Sequence, residues 1–415
     1  MTSREEGAVA EQIAPVPRVS IQAFCETADM AAVISDAIED RRMARAHVKV
    51  HMGGASAATE AYRSAPTPNV IVIETVGERQ GLLGQLESLS EFCDPGTKVV
   101  VIGRVNDIVL YRDLMARGIS DYLVAPLSVL DFIRAVSHLY HHPTAAPVGR
   151  IIAVTGAKGG SGASTVAHNI AWSIAKTLDV ATVVADLDLG FGTAGLDFNQ
   201  DPPQSIADAI YAPDRLDGNL VERLLSKCTD KLSLLAAPAT LDRQYDLAET
   251  AFDGVIDILR ASGPCTILDV PHQWTAWTRR LLTAADEVVI VATPDLASLR
   301  NAKNMLDALR LSRPNDSRPR LVLNGVGLPK RPEIGAADFG KAVEATPLAL
   351  IPFDAKLFGT AANNGQMVGE VEANGRTAEI MNEIARAVTG RIDFKRSRRT
   401  LLKPLLDRLT TRKAS

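Results

Sequence analysis

Short apolar runs alternate with helical patterns along most of this chain. Between residues 18 and 142 the runs fall at 19–24, 47–51, 70–73, 99–102 and 121–124. Amphipathic stretches such as 30–41 and 109–117 fill the gaps. Strands that alternate with helices predict a parallel sheet wound on both faces. A second, longer series begins at 151 and has apolar runs at 151–154, 180–189, 231–237, 265–270, 285–292, 321–324 and 351–353. Outside 231–237, the stretch 208–246 reads as mostly helical. The pattern therefore predicts an α/β chain of two doubly wound units, 18–142 and 150–390. A polar lead of 1–17, expected to be disordered, precedes them. A Pro-rich linker, 143–149, joins them.

The chemistry concentrates in RIIAVTGAKGGSGASTVAHNIAWSIAKT, residues 150–177. It reads as a strand, a glycine loop at 156–162 and a helix. Glycines let backbone N–H groups approach a phosphate, and a helix N-terminus favours its charge. Ser164 and Thr165 open the helix, where a hydroxyl can meet Mg²⁺ or phosphate. The usual loop has lysine just before that hydroxyl, but here Ala163 stands there and the lysine comes early, at Lys158. Lys158, Gly159, Gly160, Ser161, Gly162, Ala163, Ser164 and Thr165 resemble the deviant Walker A loop of the MinD/ParA ATPases. In that family the early lysine reaches a partner's nucleotide across a dimer.

The run ending Asp186-Leu187-Asp188 puts two carboxylates two residues apart, on one side of an extended chain. Strand carboxyl ends are where ligands bind in open α/β sheets. This stretch resembles the MinD/ParA switch region, which implies that Asp186 supports the metal and Asp188 orients water. Asp269, ending 265–270, resembles a Walker B acid that holds Mg²⁺. Asn324, Pro352 and Asp354 resemble the family's landmarks near the base. The resemblance implies ATP and Mg²⁺ as cofactors and a homodimer closed around two nucleotides.

The first unit resembles a response-regulator receiver through Gly118-Ile119-Ser120-Asp121-Tyr122-Leu123-Val124-Ala125-Pro126. Its chemistry departs from that pattern. Glu74 replaces the phosphoacceptor aspartate and is read as a solvated loop carboxylate. Cys25-Glu26-Thr27 replaces the acidic pair, Gly103 the usual Ser/Thr and Ala125 the lysine. The unit is expected to dock or dimerise without being phosphorylated. A degenerate receiver ahead of a KGGSGAST loop resembles the CpaE/TadZ pilus-assembly ATPases. That resemblance implies a slowly hydrolysing positional switch in Flp-type pilus assembly, with secretion machinery or polar landmark proteins as partners.

Composition narrows the alternatives. The net charge of −4 argues against a globally basic DNA binder. The other readings are a MinD/ParA-like ATPase for a division-site or DNA cargo, and a non-hydrolysing scaffold. Cys25, Cys93, Cys228 and Cys265 lie far apart without metal spacing, as small reduced thiols would. No signal peptide and no run of about 18 apolar residues is seen, so a cytoplasmic protein is expected. The end, 391–415, is basic: nine Lys/Arg stand in 391–413. Leu401, Leu402, Leu405, Leu406 and Leu409 fall on one helical face there, which suits an anionic membrane at the inner-membrane surface or cell pole. The same face suits docking on protein.

Overall fold

A computed structural model describes residues 13–77, 79–140, 149–241 and 243–390. The lead 1–12, most of the linker and the basic end 391–415 lie outside the described residues. Two sheets form, each in the half expected. The first comprises β1 (Ser20–Cys25), β2 (His47–Met52), β3 (Val70–Glu74), β4 (Lys98–Gly103) and β5 (Asp121–Val124). These are all parallel, in the order β2-β1-β3-β4-β5. That is the flavodoxin-like order, whose ligand crevice lies between β1 and β3.

The second sheet holds β6 (Arg150–Gly156), β7 (Thr182–Asp186), β8 (Ser226–Lys227), β9 (Leu232–Leu235), β10 (Cys265–Val270), β11 (Glu287–Ala292), β12 (Arg320–Val326) and β13 (Ala349–Pro352). The order is β13-β12-β11-β6-β10-β7-β9-β8, and only the short edge strand β8 runs antiparallel. Successive side chains of β6 enter opposite cores, Ile151 and Ala153 one, Ile152 and Val154 the other. Two-sided burial is why these strands read as unbroken apolar runs.

Two expectations are corrected. Residues 13–17 are no loose lead: Ile13 and Val16 pack in the first core, and Val16 N donates to Arg42 O at 2.8 Å. The helical reading of 208–246 holds for only part of its length. After Gly218–Leu224 comes β8, and beyond β9 the described residues up to 250 form no helix. Pro238 and the polar run after it give no apolar face to pack.

The two units meet through the turn that precedes β2. Arg41 is nearly buried and spans Asp316 (Nε–Oδ2, 2.6 Å), Asp286 and the carbonyl of Ala284 (2.8 Å). Arg42 pairs with Asp316 and with Asp40, which accepts from Asn315 Nδ2 at 2.9 Å. Asp286 also accepts from Ile151 N, at the start of β6, and from Arg260. The first unit thus sits on the amino-terminal edge of the second sheet.

Candidate functional site

The glycine loop leaves the other, carboxyl-terminal edge. Ala157 N donates to Val291 O at 2.8 Å, and Ser161 N turns back to Lys158 O at 3.3 Å. Gly160 and Gly162 take φ of 75° and 81°, which L side chains rarely adopt. A side chain at Gly162 would also strike Asn324, whose Nδ2 donates to Ser161 O at 2.8 Å. Gly162 is the N-cap of the helix Ala163–Lys176 and offers no side chain to its first-turn N–H groups. Those donors are left for an anion. Ala163 is partly buried against the core beneath the helix.

Behind the loop, β7 and β10 are neighbours and place Asp186 opposite Asp269. Asp186 is fully buried and accepts from Asp188 N and Ala194 N, each at 3.1 Å. Burial, joined by the charge of Asp269, raises its pKa, while His168 opposes the rise. Gly192 lets the following segment close, since a Cβ there would lie 2.4 Å from Asp186 Oδ2. β7 ends at Asp186, so the argument from an extended chain stops before Asp188. Asp188 lies in the turn that follows, where Oδ1 accepts from Phe191 N at 3.1 Å.

Lys158 does not point freely into solvent: Nζ lies 2.7 Å from Asp295 Oδ2. Asp295 also accepts from Thr293 Oγ1 (2.6 Å) and caps the helix Leu296–Ser312 through Ser298 N. Burial works against its ionisation, but the hydrogen bonds from Lys158, Thr293 and Ser298 hold its carboxyl well below the usual range. Asn324 ends near the loop, as described. Pro352 closes β13, three strands from β6, and Asp354 caps the helix Ala355–Asn364 through Leu357 N.

Reading the sequence did not single out Asp295 or His168. The His168 ring is fully buried, with Nδ1 2.7 Å from Asp197 Oδ2 and Nε2 3.3 Å from Asp269 Oδ2. Burial alone would lower its pKa, yet the hydrogen bond to Asp197 and the adjacent negative charges of Asp269 and Asp197 raise it to about 10. One signal was available: His168 is four residues after Ser164, on the same helical face.

Nucleotide and metal can be tested against this geometry. The uncapped helix and the glycines form a cradle, and the close approach of Asn324 leaves no room for a Cβ at Gly162. Ser164, Asp186 and Asp269 offer only oxygen donors, which suits Mg²⁺. Comparison with known proteins agrees. A family model described as an AAA domain matches residues 149–321. The septum site-determining protein MinD of Synechocystis sp. is 28% identical over 276 residues, 63% of this chain and 99% of that protein. The crystal structure of a ParA family ATPase from Chlorobium tepidum is 25% identical and matches 58% of this chain and 98% of its own, with a TM-score of 0.53.

The second unit has the doubly wound fold of the MinD and ParA ATPases.

A pilus assembly protein CpaE from Caulobacter crescentus is similar at 50% identity over 32% of this chain and 100% of that one, with a TM-score of 0.31. Among the described residues, no helix is long and apolar enough to cross a membrane.

The receiver-like crevice holds a correction. Glu74 is not solvated: it is buried, and its carboxylate accepts from Glu26 N (2.8 Å), Thr27 N (2.8 Å) and Thr27 Oγ1 (2.6 Å). The side chain that replaces the phosphoacceptor instead pins the start of the helix Ala28–Ile38. A cleft of about 330 Å³ remains beside it, lined by Thr27, Arg104 and Ala125.

Proposed function

We propose that this chain is a slowly hydrolysing, dimerising Mg-ATPase that acts as a positional switch in polar Flp-type pilus assembly. The observation that carries the switch is the loop itself: an uncapped helix N-terminus, Ala163 where lysine is usual, and Lys158 held on Asp295. Backbone N–H groups from Gly159 to Thr165 bind phosphate. Ser164, Asp186 and Asp269 hold Mg²⁺, which when bound neutralises the phosphate charge. Asp188 orients the attacking water. Lys158 swings from Asp295 to the partner's nucleotide. Removing one electrostatic stabiliser costs about 10²–10³ in rate, so a loop without lysine at 163 turns over slowly.

The cargo rests on the pairing of this loop with a degenerate receiver. The chain is placed at the cytoplasmic face of the inner membrane or the cell pole, with pilus machinery or a polar landmark protein as partner. The deciding experiment is ATP-dependent dimerisation of the full chain by light scattering. Wild type dimerises and Lys158→Ala does not, although it still binds ATP. Normal dimerisation of Lys158→Ala removes the mechanism.

A further inference from the structure

Residues 188–199 follow β7 and are held by two side chains. One is Asp186, which takes Asp188 N and Ala194 N. The other is His168, on the helix that follows the glycine loop. Its Nδ1 holds Asp197, the last residue of the helix Ala194–Asp197, and Phe198 packs against the ring at 5.4 Å between centroids. On its other side, Nε2 stands 3.3 Å from Asp269 Oδ2 but is not aligned for a hydrogen bond. A buried ring nitrogen without an aligned partner is costly, and packing on all sides leaves little other motion. The ring is rigid, so any turn that aligns Nε2 with Asp269 also moves Nδ1 against Asp197.

We propose that His168 is a positioning residue that joins the Asp269 carboxylate to the segment 188–199 through Asp197. Occupancy of the nucleotide site is thereby registered as ordering of that segment. The inference rests on the reading of this site as one for Mg-nucleotide. Were Asp269 to turn toward a bound metal, the ring would follow and hold Asp197 more firmly. The helix Ala194–Asp197 then moves with Asp197, and Leu196 within it and Phe191 just before it, both largely exposed, change what they present.

Hydrogen exchange on the full chain, with and without Mg²⁺ and ADP, tests this. In wild type, exchange should slow both at 156–165 and at 188–199, the latter by about 5-fold or more, the usual size of coupling between sites. His168→Asn keeps an amide near Asp197 but cannot reach Asp269. Asp197→Ala keeps the ring beside Asp269 and cuts the other link. Both variants should slow at 156–165 and lose the effect at 188–199. Should His168→Asn fail to fold, Asp197→Ala decides alone. Wild-type slowing at 188–199 that survives in Asp197→Ala overturns the proposal. So does loss in both segments, which would make these residues part of binding itself. Wild type that slows at 156–165 only also overturns it. Wild type that slows at neither segment defeats the nucleotide reading instead.

Discussion

The contact between Lys158 and Asp295 makes a quantitative prediction about dimerisation. If Lys158 must leave Asp295 to reach a partner's nucleotide, that pair opposes the dimer. Its Nζ–Oδ2 distance is 2.7 Å and the side chains are 36% and 28% exposed. Partly exposed pairs of this kind are worth about 0.2–1 kcal/mol. A dimer breaks two, so the penalty is about 0.4–2 kcal/mol, or about 2–30-fold in dimer Kd. Asp295→Asn removes the charge but keeps a good cap for the helix Leu296–Ser312, since Asn caps as well as Asp. The ATP-bound variant should therefore dimerise about 2–30-fold more tightly than wild type, as read by sedimentation velocity across a concentration series. Lys158→Ala, run beside it, should lose the ATP-dependent dimer. A variant dimer equal to or weaker than wild type refutes the latch, because Asp295 would then be neutral or helpful to the dimer.

Arg41→Ala should cost about 1–3 kcal/mol in chemical denaturation, because it removes charge-assisted hydrogen bonds from buried Asp286 and Asp316, which keep Arg260 and Arg42 as partners; no measurable loss would show that the remaining cations take over its bonds. Incubation of wild type with a small-molecule phosphodonor and Mg²⁺ should add no phosphate by intact mass. Glu74→Ala should lose about 1–3 kcal/mol, since it leaves buried donors at Glu26 and Thr27 unpaired. Burial, helped by Glu74, raises the Cys25 thiol pKa from 9.0 to about 11, so at pH 8 its thiolate is about 100-fold scarcer and alkylation of the folded chain should slow as much; labelling at the rate of a free thiol contradicts the burial. Truncation after Gly390 should abolish any salt-sensitive binding to anionic liposomes, and equal binding by the truncated chain would assign that affinity elsewhere.

The central strands were legible because they are short, apolar and buried on both faces; β3, β4 and β10 sit within a residue or two of their runs. The loop at 156–165 was legible because its glycines, its early lysine and Ala163 are local. What escaped notice depends on partners remote in sequence. Lys158 meets a residue 137 positions away, and Glu74 takes donors 47 and 48 positions back. Local pattern says nothing of such meetings, so Glu74 looked like a surface carboxylate. His168 escaped because a lone histidine in an apolar helix resembles a core residue until the sheet brings Asp269 beneath it. The alternation argument that paired Asp188 with Asp186 lapses for a different reason: β7 ends at Asp186, and alternation does not extend beyond it.

The docking of the receiver-like unit has a consequence for assembly. It is fastened at the amino-terminal edge of the second sheet, while the nucleotide loop opens at the opposite edge. The seven residues of β6 separate the two, about 20 Å at the usual rise per residue. Two chains closed face to face on their nucleotides would carry these units back to back, on the far outer ends and at least about 40 Å apart. Within such a pair the receiver-like units cannot touch. If the proposed dimer forms, any contact between these units would join one pair to the next, so each pair would be a link with two free ends and ATP would control whether links exist to be strung together.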